Sequence, residues 1–201
     1  MLFDFFLEQK LKRMKFVIDI KRALYAGILV GIGDIAYITI ENNYIGAMLF
    51  SLALLTVINS GLNLYTGKIG FYKKYNFRFL IKILLANLIG VAFVYMIFLQ
   101  AKEKMFLPSL TTACNKFSCG SFSLFIFGLL CGMCMHIAVS NKNKIITVFS
   151  IMIFILCGFR HCIADFPFLL LNFSFVNLLK FISIVLGNSI GAMMINFLSC
   201  E

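Results

Sequence analysis

Residues 151–171 read IMIFILCGFRHCIADFPFLLL. Two apolar runs flank a centre that holds Gly158, Arg160, His161 and Asp165, with Pro167 just after it. A helix needs about 20 apolar residues to cross a bilayer, so neither run crosses alone. Together they fit one crossing that is broken in its middle. Ionisable groups at that depth are costly and usually mark a transport path. Irregular backbone there survives only where protein buries it or where it lines a cavity. The stretch therefore reads as the centre of a pore.

The composition agrees. Of the 201 residues, 62% are hydrophobic, and the mean hydropathy is +0.99. No soluble domain of this size needs so much apolar surface, so the chain reads as an integral membrane protein. The net charge of +10, from 18 basic and 8 acidic residues, would suggest nucleic acid in a soluble protein. Here the basic residues cluster between apolar runs, where topology and lipid phosphate explain them, and no nucleic-acid partner is expected. The 7 Cys lie mostly inside or beside apolar segments and read as reduced thiols acting as small hydrophobes. The N-terminus has no apolar stretch followed by a small-residue cleavage site, so no signal peptide is expected.

Outward from residues 151–171, the pattern predicts an all-α membrane protein with six transmembrane helices. Residues 1–20 read as an interfacial amphipathic helix, with Phe3, Phe6, Leu7 and Leu11 on one side and Lys10, Lys12, Arg13 and Lys15 flanking them. A plain helical extension of the first span fits them equally well. Residues 21–201 read as the six-helix domain. Its spans are 23–40, 44–65, 79–99, 122–139, 151–171 and 178–198. The first contains Asp34, for which a functional role is weighed and a capping or interface role is expected. The second runs into INSGLNLYTGKIG, whose Asn59, Ser60, Gly61, Asn63 and Gly67 continue a helix poorly. That is a second break. Residues 101–121 read as the longest polar connection.

Six spans put both termini on one side, together with the basic clusters 10–15, 73–78 and 142–144. The positive-inside rule makes that side cytoplasmic; Lys102, Lys104 and Lys116 on the other side dilute the bias. A weak repeat links the halves. Ala86-Asn87-Leu88-Ile89-Gly90 echoes Gly187-Asn188-Ser189-Ile190-Gly191, and each follows a broken span. Three spans are an odd number, so two such halves have opposite topology. This predicts an inverted 3+3 repeat with its site between two discontinuous helices.

Four stretches in this order resemble the formate/nitrite transporter family. They are Leu64-Tyr65-Thr66-Gly67, Asn87-Leu88-Ile89-Gly90, the run GFRHCIAD from Gly158 to Asp165, and Gly187-Asn188-Ser189-Ile190-Gly191. The resemblance covers roughly residues 20–200. It implies an aquaporin-like protomer, a homopentamer, and one pore per protomer for small monovalent anions in the cell membrane. It implies a pore lined by His161, Thr66, Asn87 and Asn188, with Lys116 at its mouth. It implies apolar constrictions at Phe50, Leu54, Leu64, Tyr65 and Phe154. The sequence departs from the family at Arg160, Cys162 and Asp165, where Glu, Ser and Asn are usual, and at Gly132 and His136, where Asn and Cys are. Arg160 is expected to pair with Asp165 or to face the interfacial loops, and Arg160, Asp165 and His136 are candidate modulators.

The chemistry is that of helping a charged solute across hydrocarbon. Lys116 would attract anions, and N–H groups at the breaks would point partial positive charge inward. His161 is the central group that titrates near neutrality. A low-dielectric constriction favours the neutral forms of carboxylate and imidazole alike, so His161 would pass a proton to the anion. Formate or nitrite is the expected passenger; hydrosulfide or lactate is the alternative. An ammonia or water pore is a remoter reading, requiring His136 and His161 to share one lumen. His136 otherwise serves as polar glue between helices. A non-transporting receptor is the remaining class. Cys131-Gly132-Met133-Cys134 lies in an apolar helix with no second ligand pair, so no metal, cofactor or enzymatic activity is expected.

Overall fold

The computed structural model describes residues 2–199, and of residues 2–10 and 12 the backbone alone. The helices are α1 (Leu2–Thr39), α2 (Asn43–Asn59), α3 (Tyr65–Lys68), α4 (Phe77–Ala101), α5 (Phe106–Lys116), α6 (Ser121–Ser140), α7 (Lys144–Leu156), α8 (Cys162–Leu171) and α9 (Phe175–Ser199). Short 3₁₀ turns occupy Ile69–Lys74 and Glu103–Met105, and no strand occurs among the described residues. By length and composition α4, α6 and α9 are each apolar enough to cross a membrane.

The polar breaks in the sequence do a second job as helix caps. Asn42 accepts hydrogen bonds from Tyr44 N–H and Ile45 N–H, Asn76 from Arg78 N–H, and Asn143 from Ile145 N–H. The expected boundary at residue 20 is not a helix end. α1 continues through it for 38 residues, a rod of about 57 Å, roughly twice the hydrocarbon thickness. The side chains of Phe3, Phe6, Leu7, Lys10 and Lys12, which would make its amphipathic face, lie outside the described residues. On α4 the residues Ile81, Leu85, Ile89, Phe93 and Ile97 recur every fourth position and are all exposed. An uninterrupted apolar stripe of that length suits lipid or another subunit and not water.

Both expected breaks are present, and they are built alike. Ser60 caps α2 and Cys157 caps α7, and each cap is followed by a glycine in the left-handed region, Gly61 (φ 59) and Gly158 (φ 70). At the first, Gly61 N–H donates to Ile58 C=O and Leu62 N–H to Val57 C=O; at the second, Gly158 N–H donates to Ile155 C=O and Phe159 N–H to Phe154 C=O. These paired bonds are a Schellman ending, which glycine permits at no steric cost. The chain then runs extended for a few residues and restarts as α3 or α8.

The connection 101–121 differs from expectation, because most of it is helix α5. Its polar residues do not break the helix: Thr111 and Thr112 return their hydroxyls to the carbonyls of Leu107 and Pro108 one turn back. Pro108 sits in the first turn, where its missing N–H has no helical partner to lose. The helix is tied inward by Tyr95 O–H donating to Ser109 Oγ at 3.0 Å and, just beyond its end, by Lys180 Nζ donating to Phe117 C=O. α5 thus rests over α8.

Candidate functional site

Two asparagines hold the breaks open. Asn87 on α4 accepts Tyr65 N–H on Oδ1 and donates from Nδ2 to the carbonyls of Ala23 and Asn63, at 2.7 to 2.9 Å. Asn188 on α9 accepts Cys162 N–H and donates to the carbonyls of Gly128 and Arg160, at 2.7 to 2.8 Å. In both cases one amide satisfies the first N–H of the restarting helix and a carbonyl of the extended link. Such groups, left bare at membrane depth, would cost several kcal/mol. The helices carrying them sit close. A Cβ on Gly27 would lie 2.2 Å from the Asn87 carbonyl oxygen, and one on Gly132 would lie 2.2 Å from that of Asn188. Gly132, where the family pattern has Asn, is therefore the counterpart of Gly27 in helix packing. Asn87 and Asn188 are fully buried, their amide groups spent on backbone.

The breaks bring Thr66 and His161 together. Thr66 Oγ1 and His161 Nε2 are 2.9 Å apart, and both residues are buried. His161 is also the N-cap of α8, with Nδ1 accepting Ala164 N–H at 3.3 Å. An imidazole nitrogen that accepts carries no proton, so the network places the ring proton on Nε2, donated to Thr66. Phe154 stacks on the ring with centroids 5.7 Å apart, and Phe50 meets Phe154 edge-on at 6.1 Å.

A cavity of about 260 Å³ opens on one side of this pair, with His161, Phe50 and Phe154 in its wall beside Lys116, Arg160 and Asp165. A second, of about 190 Å³, is bordered by Leu64 and Gly67, which flank Thr66, and by Lys68, Phe71 and Tyr75. His161 is thus in the wall of the first cavity, and residues close to Thr66 in sequence are in the wall of the second.

Other expected site residues are placed as follows. Leu54 is fully buried in the core. Tyr65 shares a hydrogen bond of 2.8 Å with Ser189. Lys116, at the end of α5, donates from Nζ to Asp165 Oδ1 at 2.5 Å and lies over the Phe168 ring. The expected Arg160–Asp165 pair is not formed. Arg160 stays in the extended link before α8, while Asp165, one helical turn in, faces α5. Arg160 Nε has no hydrogen-bond partner. His136 is in the wall of neither cavity; its ring lies against Phe71 at 4.8 Å, and both its nitrogens are unpartnered. Asp34, expected as a cap or interface residue, is in the wall of the first cavity. Nothing in the spacing around it signals that position. Among the described residues no cluster of three or more His, Cys, Asp or Glu could hold a metal.

An all-helical membrane protein with paired helix breaks around a buried His and Thr defines the class. The model of the formate/nitrite transporter family matches residues 7–200. The chain belongs to the formate/nitrite transporter family. Its fold is similar to that of a pentameric formate channel with formate bound, at 19% identity and a TM-score of 0.74, over 92% of this chain and 96% of that one. It is also similar to an ion channel of the FNT family, at 19% identity and a TM-score of 0.78, over 94% and 91%. No curated protein matches.

Proposed function

We propose that the protein is a channel for small monovalent anions, formate or nitrite, whose passage is governed by His161. The observation that carries this reading is the buried Thr66–His161 hydrogen bond, which joins the two helix breaks and has His161 in the wall of the first cavity. The first cavity collects the anion beside Lys116 and Arg160. The phenyl rings of Phe50 and Phe154 obstruct a hydrated ion but admit a neutral acid, since the desolvation of an isolated charge far exceeds that of its conjugate acid. The Thr66 hydroxyl, accepting from His161, keeps its own proton free for the passing solute.

The same reading has α1, α2, α4, α6, the broken pair α7–α8, and α9 as six crossings. The matched Asn87 and Asn188 clamps support an inverted repeat. Both termini are cytoplasmic, in the cell membrane, and the exposed apolar stripes suit a homopentamer like the formate-bound structural relative. Lactate or hydrosulfide is the alternative passenger; the first cavity, larger than formate requires, has room for lactate.

Purified protein in liposomes tests this. Formate influx is expected, and His161→Asn should change it by at least about tenfold, ~1.4 kcal/mol on the barrier. Equal flux and selectivity in the variant would reject the role of His161. Competition among formate, nitrite, lactate and hydrosulfide ranks the passengers.

A further inference from the structure

Asp34 is the one carboxyl of the first cavity that this mechanism leaves idle. It lies within α1, is 4% exposed, and its Oδ2 has no hydrogen-bond partner. The charged and titratable groups around it come from several elements. Tyr37 is on its own helix, Tyr95 on α4 is committed to Ser109, and Lys116 is on α5. His161 and Arg160 are at the break, and Asp165 is on α8; α2 presents only the apolar Phe50 to the cavity.

These neighbours assign the protons. Asp165 holds Lys116, so its charge is balanced and it has no need of a proton. The proton of His161 is held by Thr66, which is not in the wall of the first cavity. Asp34 has neither a cation bonded to it nor a donor on Oδ2. A buried carboxylate in that state is costly, whereas the acid form needs no counter-charge and has a proton to give.

We propose that Asp34 is the residue that protonates the anion in the first cavity, ahead of the Phe50–Phe154 narrowing, and so selects anions of weak acids over anions of strong acids. This rests on the anion-channel reading above. The step is a proton transfer. The O–H bond at Asp34 Oδ2 breaks and an O–H bond forms on the anion's oxygen. The neutral acid moves on, and the carboxylate left behind shares the cavity with Arg160 and the Lys116–Asp165 pair until water on the open side of the cavity returns a proton. An anion that a carboxylic acid cannot protonate, such as nitrate or chloride, gains nothing from the site.

The test uses the full chain in liposomes, with formate influx and internal pH followed as external pH is raised from acid to alkaline. Asp34→Asn, which keeps the shape, is expected to cut formate influx about tenfold or more, flatten its dependence on external pH, and raise nitrate permeation relative to formate. Asp34→Glu, which restores a carboxyl, is expected to recover the pH slope. Wild-type influx and slope in Asp34→Asn would overturn the proposal. So would a uniform increase at every pH, which marks a merely repulsive charge. Infrared difference spectra of the wild-type protein on adding formate give a readout that needs no variant to fold. Loss of a protonated-carboxyl band supports the transfer, and no change in that region overturns it. Either failure leaves anion passage standing, whereas a wild-type protein that passes no anion removes the channel reading itself.

Discussion

Replacing Asn188 with Ala removes the clamp on the second break, and its cost can be worked from the bonds it makes. Three hydrogen bonds disappear, two buried ones to Cys162 N–H and Gly128 C=O and a part-buried one to Arg160 C=O. Side-chain hydrogen bonds between helices in membranes average about 0.6 kcal/mol, which for three gives only ~2 kcal/mol. That average includes partners that find others. Here Cys162 is fully buried and Gly128 is buried, so their backbone groups are stranded at about 1–3 kcal/mol each. Arg160 is partly exposed beside the first cavity, and water can reach its carbonyl. With the third bond at its average value the sum is about 3–7 kcal/mol, most of it from the two stranded groups. The protein has no Trp, so unfolding in mixed micelles is best followed by thiol labelling, with the buried Cys131 and Cys162 as reporters. Asn87→Ala, which strands the equivalent groups at the first break, should cost a similar amount. A loss below about 1 kcal/mol in both variants would mean that the breaks are held by packing and not by these amides.

Two further substitutions probe the scaffold. Gly132→Ala places a methyl against the Asn188 carbonyl and should cost about 1–3 kcal/mol in the same unfolding assay. Gly120→Ala, with nothing within 4 Å of the added carbon, should cost little. Lys116→Met strands Asp165, and because Lys116 is 22% exposed the loss should be about 2 kcal/mol, below the range for fully buried pairs. The double variant Lys116→Met with Asp165→Asn should be more stable than the single one, and a double-mutant cycle measures the coupling.

The breaks were legible because they combine two independent signals. The apolar runs on either side of Gly158 are too short to span, and Gly61 and Gly158 fall where the left-handed ending needs them. The Asn87 and Asn188 segments were legible as a repeat, but not as clamps, because what an amide bonds to is set by tertiary structure. α5 was missed because a helix with threonines and a proline reads as a loop unless the threonines are known to bond back onto their own turn. Asp34 gave only the signal of a costly charge inside a span. A lone acid in an apolar helix has no periodicity, and only the approach of α5 and α8 shows that it borders a cavity.

The ion pair was read on the wrong partner for a reason that bears on the site. Arg160 and Asp165 look complementary in sequence, but the α8 cap at His161 separates them. The backbone before the cap is extended and spends its carbonyl on Asn188, while Asp165 belongs to the helix and turns toward α5. Lys116 therefore takes Asp165, and its charge is largely cancelled where an anion would meet it. Arg160 keeps an Nε without a partner in the wall of the same cavity. Its charge has no bonded carboxylate among the described residues. On the proposed anion-channel reading, the attraction that the family resemblance assigns to Lys116 falls in this chain on Arg160, and the departures at Arg160 and Asp165 act together. On that reading Asp165 engages one cation, and Arg160, standing where the pattern has an acid, brings another to the wall of the same cavity. A carboxyl that must give up a proton to the anion, as Asp34 is placed to do, is helped by a cation that stays in the cavity after the proton has gone.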